Sequence, residues 1–160
     1  ETDDPSTIEA AVEMGEVSTI AEPEGWAALG CHPDRPVAHL SLGNPHSVVG
    51  VDEVGVVDLA LLGGQVPHVT LEIIEPGPEP NAITMRVHER GAGITEACGT
   101  GACAAAFAAR SWGLVARGEG DVVVHMAGGT ATVSFDAEAP TRAVLSGPAS
   151  HIATIEIEVT

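Results

Sequence analysis

Between residues 83 and 88 apolar and polar side chains alternate, with Ile83, Met85 and Val87 set against Thr84, Arg86 and His88. A period of two predicts a strand with one buried face. Thr7–Gly15, Val37–Gly43 and Val69–Ile74 also read as strands. The second is stopped by Gly43-Asn44-Pro45 and the third by a Pro-rich turn from Pro76 to Pro80. Val122–Met126 and Thr130–Phe135 flank Gly128-Gly129, the pattern of a hairpin, and Arg142–Leu145 and His151–Val159 add two more strands. Residues 18–36 hold three prolines and two glycines and read mostly as loop, anchored by Trp26 and Leu29. Val54–Leu62 predicts one short helix ended by the Gly63-Gly64 pair. Gly101–Trp112 is the strongest helix, Ala-rich and followed by Gly113 as its C-terminal cap. It is apolar on nearly every face until Arg110, which predicts a thin rod buried on all sides. Strands that do not alternate regularly with helices argue for an α+β fold over a doubly wound one.

One hundred and sixty residues make one domain, 1–160, and a chain of this length buries roughly 70% of its unfolded surface without cross-links. Twenty-three acids stand against six basic residues, all of them Arg, for a net charge of −17. That balance repels phosphate backbones and anionic membrane surfaces, so neither nucleic acid nor membrane is expected as a partner. No apolar run approaches the ~20 residues of a bilayer span. Three cysteines at irregular spacing, Cys31, Cys98 and Cys103, suit free thiols in a reducing cytoplasm. The chain starts at Glu1 without Met, which reads as a processed piece or a fragment of something longer.

Candidate chemistry concentrates in Glu89 to Ala104, ERGAGITEACGTGACA. Cys98 immediately precedes Gly-Thr-Gly at the predicted helix start. A helix N-terminus exposes unpaired N–H groups and about half a positive charge, and Gly99 and Gly101 clear side chains from it. An anion could reach those N–H groups, and a thiol there should titrate below the usual value of about 8.5. Equally, Cys98 could be a small buried residue and the glycines a turn. Gly99-x-Gly101-x-x-Ala104 also satisfies the dinucleotide fingerprint, but the glycines do not follow directly on a strand. The candidate acids Glu119 and Asp121 precede the next strand instead of ending it.

Cys103, five residues beyond Cys98, falls about 140° around the helix and belongs to the core. Cys31 beside His32 reads as incidental. The seven histidines show no ligand spacing, so no metal is expected, and no G-x-S-x-G supports a serine triad. Glu89 continues the buried Ile83–Met85–Val87 row, where a carboxylate needs a cationic partner. It could form an internal salt bridge with Arg90, or the two could hold the ammonium and carboxylate of an amino acid. Asn44-Pro45-His46 is a rigid turn with two hydrogen-bonding side chains.

Together, LGNPH at 42–46, HERGAG at 88–93, ACGTGACAAA at 97–106, MAGGTATVSF at 126–135 and LSGPA at 145–149 resemble the C-terminal half of the diaminopimelate epimerase family. The matches run in the family's order over nearly the whole chain. The resemblance implies a curved, barrel-like mixed β-sheet wrapped around a central apolar helix, one of two such halves with the substrate between them. It implies inversion at an α-carbon without pyridoxal phosphate or other cofactor, one Cys thiolate removing a proton and a second thiol delivering one from the opposite face. By motif, Cys98 carries over as catalytic, Gly99 and Thr100 as carboxylate binders, and Asn44, Glu89 and Arg90 as substrate ligands. His46 carries over as a residue near the reacting centre, with Glu89 also counted among the catalytic groups.

Three departures qualify the resemblance. The family's first half, with its Cys-Gly-Asn-Gly motif, has no counterpart in these residues. Thr70 stands about where the family usually has an Asn that binds the distal end of the substrate, and Ile94 replaces the Glu of ERGAGET. The expected partners are therefore an amino-acid substrate and the N-terminal half of the same enzyme, with a homodimer built on two copies of Cys98 as another way to assemble two thiols. A related racemase or isomerase with another substrate, or a non-catalytic binding domain of the same fold, are the competing readings.

Overall fold

A computed structural model describes residues 6–115 and 120–158. The strands are β1 (Thr7–Glu16), β2 (Ser18–Thr19), β3 (Val37–Ser41), β4 (Pro45–Gly50), β5 (Thr70–Pro76), β6 (Ala82–Glu89), β7 (Gly93–Thr95), β8 (Val122–Met126), β9 (Gly129–Phe135) and β10 (Arg142–Ser150). The α-helices are α1 (Leu59–Gln65) and α2 (Gly99–Trp112), and short 3-10 turns lie at Trp26–Leu29 and Val54–Val56. All ten strands join one sheet in the order β1-β10-β9-β8-β6-β5-β4-β3-β2, with β7 paired to β6 off this path. The β4–β5 and β6–β8 pairs are parallel and the others antiparallel. This is the mixed, curled sheet expected of an α+β fold, and α2 touches β3, β4, β5, β6, β8, β9 and β10.

The core explains the curl. The α2 side chains from Ala102 to Ala106 and at Ala108 and Ala109 are fully buried. Alanines let strands approach the helix from several sides at once, where larger residues would hold the sheet off. Its C-terminus ends at Gly113 with φ 74°, whose N–H donates to Ala109 and Arg110 carbonyls, and Arg110 lies over the Phe135 ring at 4.9 Å. The inward row Ile83, Met85, Val87 joins this core, as do Val48 and Ile74 from β4 and β5. On the opposite face of the same strands Val49, Leu71 and Ile73 pack with Trp26 and Leu59. Trp26, as expected, anchors its loop, its ring edge-on to His39 at 4.6 Å.

Three expectations need correction. The stop at Gly43-Asn44-Pro45 (Gly43 φ 84°) does end β3, at Ser41, but a strand that the sequence reading missed follows at once, the chain folding back into β4 from Pro45. Pro at the first residue of a strand sacrifices no needed donor. The predicted helix over Val54–Leu62 is instead a 3-10 turn followed by α1, which starts after Asp58, whose Oδ1 accepts from the Leu61 N–H at 3.1 Å. Gly63 and Gly64 lie inside α1, and Gly63 is needed there because the His88 ring packs against it with no room for a side chain. Finally, residues 151–158 form no strand despite their alternation, and Ile152, Ile155 and Ile157 are 94%, 80% and 80% exposed. The β10 ladder ends where Thr7 meets Ser150, and no other described strand lies alongside to pair with the alternating segment. Val159 lies outside the described residues, as does Glu119.

Candidate active site

The candidate residues come from the ends of β4, β5 and β6 and the start of α2, and the sheet's register gathers them. In the parallel β4–β5 ladder His46 stands beside Thr70, and in the β5–β6 pair Glu72 stands beside Val87. Period-two alternation therefore puts His46, Thr70, Glu72 and Glu89 on the α2-facing side of the sheet. The β6–β7 hairpin turns through Gly91 and Gly93, both with φ near +80°, and returns Thr95, whose hydroxyl donates to Glu89 Oε1.

Cys98 is the N-cap of α2, with extended backbone. Its Sγ accepts from the Gly101 N–H at 3.4 Å and lies 3.7 Å from the Thr100 hydroxyl. Asn44 Nδ2 donates to the same Thr100 oxygen at 3.3 Å, so Asn44, Thr100 and Cys98 form one connected group. Helix geometry leaves the Gly99 and Thr100 N–H groups without intrahelical acceptors. A groove beside them, about 330 Å³, is lined by Ala97, Gly99, Met126, Thr130 and Leu145 among others.

The thiol does not have the lowered pKa expected from the helix end. Burial at 8% exposure pushes Cys98 above the ordinary thiol value. The Gly101 N–H and Thr100 hydroxyl oppose that shift, while the charges of Glu89 and Glu72 reinforce it. Desolvation plus two carboxylates outweigh the two hydrogen bonds that favour the thiolate. Cys103, fully buried, is pushed up to about 12, chiefly by desolvation.

The remaining candidates divide. His46 is completely buried, and its Nδ1 is 2.6 Å from Glu72 Oε1. Thr70 Oγ1 accepts from the Arg90 backbone N–H at 3.3 Å. The Arg90 side chain is exposed, and among the described residues no ion pair joins it to Glu89. Asp121, weighed for the dinucleotide fingerprint, precedes β8, where its carbonyl accepts from the Asn81 amide at 3.0 Å. The sequence reading missed Glu72. The signal was present: in Thr70–Ile74 an acid occupies the same parity as Ile74, the buried-row argument already applied to Glu89.

No helix among the described residues is long and apolar enough to cross a membrane. Comparison with known proteins identifies the family. The chain is 37% identical over 142 residues to a diaminopimelate epimerase of Geobacillus kaustophilus, covering 84% of this chain and 46% of that protein. It is 40% identical over 120 residues to one of Bacillus cereus, covering 71% and 40%. It thus spans less than half the length of these curated relatives. In fold it is similar to a predicted epimerase from Pseudomonas aeruginosa, with TM-score 0.62 at 17% identity over 91% of this chain and 59% of that one. It is also similar to a hydroxyproline epimerase from Agrobacterium vitis, with TM-score 0.55 at 13% identity over 89% and 50%. The diaminopimelate epimerase sequence profile matches residues 39–152, which include every candidate site residue, and the chain belongs to that family.

Proposed function

We propose that this chain forms one wall of a cofactor-independent epimerase site that interconverts LL- and meso-diaminopimelate, with Cys98 as the thiol on this face. The observation that carries the reading is Cys98 at the cap of α2, linked to Thr100 and Asn44 and beside the unpaired N–H groups of Gly99 and Thr100. Those N–H groups suit the substrate's α-carboxylate, since donors and helix dipole coincide there. Asn44 and Thr100 orient it, Glu89 meets the ammonium, and the exposed Arg90 side chain reaches the more distant parts, with buried Thr70 holding the Arg90 backbone.

Inversion needs a base and an acid on opposite faces of one carbon. In one direction a thiolate facing this wall takes the α-proton. The electron pair stays on the carbon, and Cys98–SH then gives its own proton to the near face and is left as thiolate. The reverse direction exchanges the roles. A raised pKa suits Cys98 to begin as the proton donor. Neither other cysteine of the chain can oppose it: Cys103 is sealed in the core, and Cys31 borders the cluster on the far face of the sheet. The second thiol comes from the family's N-terminal half or from a second copy of the chain.

Deuterium exchange at the α-carbon of diaminopimelate in D₂O tests this. The chain joined to the family's first half should exchange, and Cys98→Ser should reduce the rate by at least ~10²–10⁴-fold, the usual cost of a lost proton-transfer group. The 160 residues alone should not exceed the Cys98→Ser background. Exchange rising with the square of concentration would point to two copies, and unchanged exchange in Cys98→Ser would overturn the assignment. A related substrate is favoured by one observation: the Thr70 hydroxyl already accepts from the Arg90 backbone, so it is less free to grip a distal group. Faster exchange of a shorter amino acid than of diaminopimelate would select that reading.

A further inference from the structure

His46 and Glu72 are the most deeply buried polar pair described, both with 0% exposed side chains. Nδ1 and Oε1 lie 2.6 Å apart, while His46 Nε2 and Glu72 Oε2 have no partner. The pair abuts the first turn of α2, since a Cβ on Gly101 would stand 2.7 Å from Glu72 Oε1 and 3.2 Å from Cys98 Sγ. The titratable groups facing it are Glu89 from β6 and Cys98 from α2, with Cys103 a turn deeper. From β3 the residue opposite His46 is Leu40, and from β5 the neighbour is Thr70.

We propose that Glu72 is a positioning residue for His46: it keeps one proton on the line between Nδ1 and Oε1, so that Nε2 is the atom that gains and loses the titrating proton. The inference rests on the reading of His46 as a residue near the reacting centre.

The proton count makes the argument. With two protons the pair is neutral overall. One lies between Nδ1 and Oε1 and the other is on Nε2, whichever of the first two atoms holds the shared one. With one proton the pair is an anion: Nδ1–H donates to the carboxylate, and Nε2 presents a bare lone pair. Loss of a single proton thus converts Nε2 from donor to acceptor without disturbing the Nδ1 bond. The hydrogen bond made by one ring nitrogen decides the protonation of the other, and a carboxylate, unlike a carbonyl, also balances the charge of the doubly protonated pair. Burial raises the Glu72 carboxyl to about 7, so the shared proton is held more tightly than an ordinary carboxylate would hold it. A buried ion pair is a weak device for stability, so stability alone does not account for its place behind Cys98.

Long-range ¹H–¹⁵N spectra of the 160-residue chain, labelled on histidine and recorded from about pH 5 to about pH 9, read the ring directly. The His46 signals are assigned with His46→Gln. Above the transition Nδ1 should carry the proton and Nε2 should be bare. In Glu72→Gln the midpoint should fall by at least about one unit, a tenfold loss of proton affinity. A neutral ring with the proton on Nε2 and Nδ1 bare would overturn the proposal. So would the absence of any transition in this interval, or a midpoint unmoved by Glu72→Gln. If that variant does not fold, the wild-type tautomer decides alone. None of these readouts uses substrate, so failure of diaminopimelate exchange and failure of this inference are distinguishable.

Discussion

Replacing Gly101 by Ala sets two opposed effects against each other. Gly101 is the third helical residue of α2 and has no positive φ, so Ala there should gain about 0.5–1 kcal/mol of helix propensity. The new Cβ, however, would stand 2.7 Å from Glu72 Oε1, 3.2 Å from Cys98 Sγ and 3.3 Å from Cys98 Cβ. Glu72 cannot swing into solvent, because it is wholly buried and held by His46. Overpacking a tight site costs about 1–3 kcal/mol, and breaking the His46–Glu72 bond leaves buried polar atoms unpaired at ~1–3 kcal/mol. The clash wins, and Gly101→Ala should destabilise by about 1–2 kcal/mol. Gly64, also inside a helix, would place its Cβ against nothing within 4 Å, so Gly64→Ala should stabilise by ~0.5 kcal/mol. Urea unfolding with unchanged slope measures both. Adding Glu72→Ala should make Gly101→Ala less costly, since the carboxylate is the obstacle and neighbours couple. A Gly101→Ala chain as stable as the parent, or a penalty unaffected by Glu72→Ala, would refute the reasoning.

Two further outcomes can be checked on the same material. Iodoacetamide at neutral pH should modify half-buried Cys31 first, Cys98 more slowly and Cys103 only on unfolding, because burial raises the thiols of the last two; mass mapping that found Cys98 labelled first would refute this order. Glu72 has a folded carboxyl pKa raised from 4.5 to about 7, so the folded state binds its proton more tightly than the unfolded state. Its stabilising contribution is full below about 4.5 and lost as pH rises through about 7, on the order of 3 kcal/mol. Measured with His46→Gln in both chains, so that no ring titrates beside the carboxyl, the stability of the Glu72 chain relative to its Glu72→Gln counterpart should therefore fall across that window, and His39, whose pKa is lowered mainly by burial, is common to both and cancels. A difference that is flat or rises with pH would refute it.

Legibility in the sequence followed locality. α2 was readable because Ala propensity, an unbroken apolar surface and Gly113 all favour the same helix, and its burial on all sides follows from having no polar stripe. The β6 and β8–β9 strands were readable from alternation and from Gly128-Gly129. β4 was not, because Asn44-Pro45 resembles a stop and its pairing with β5 depends on residues that are distant in sequence. The IEIE alternation after Ile152 misled for the converse reason: a strand needs a partner, and none of the described strands supplies one. In the site, the motif residues were legible one at a time, whereas Glu72 acquires meaning only when the parallel β4–β5 register brings it to His46.

The thiol shows why local rules were insufficient at the centre itself. A cysteine at a helix cap gains an N–H donor and a share of the helix dipole, and both favour thiolate. Those terms are local and readable. The opposing terms are not: burial comes from the sheet closing around α2, and the Glu72 and Glu89 charges arrive from two strands whose order is set by the fold. In a chain of net charge −17 a lone wall therefore holds Cys98 as a thiol. In the proposed reaction the substrate brings an ammonium beside these carboxylates, which offsets their repulsion and moves Cys98 toward thiolate only when the site is filled. The proton that leaves it goes to the carbon rather than to water. Measured on this reasoning, the Cys98 thiol of the completed two-walled enzyme should titrate lower with a bound, non-reacting amino acid than without it, while the same amino acid stripped of its ammonium should leave the titration unchanged or raised.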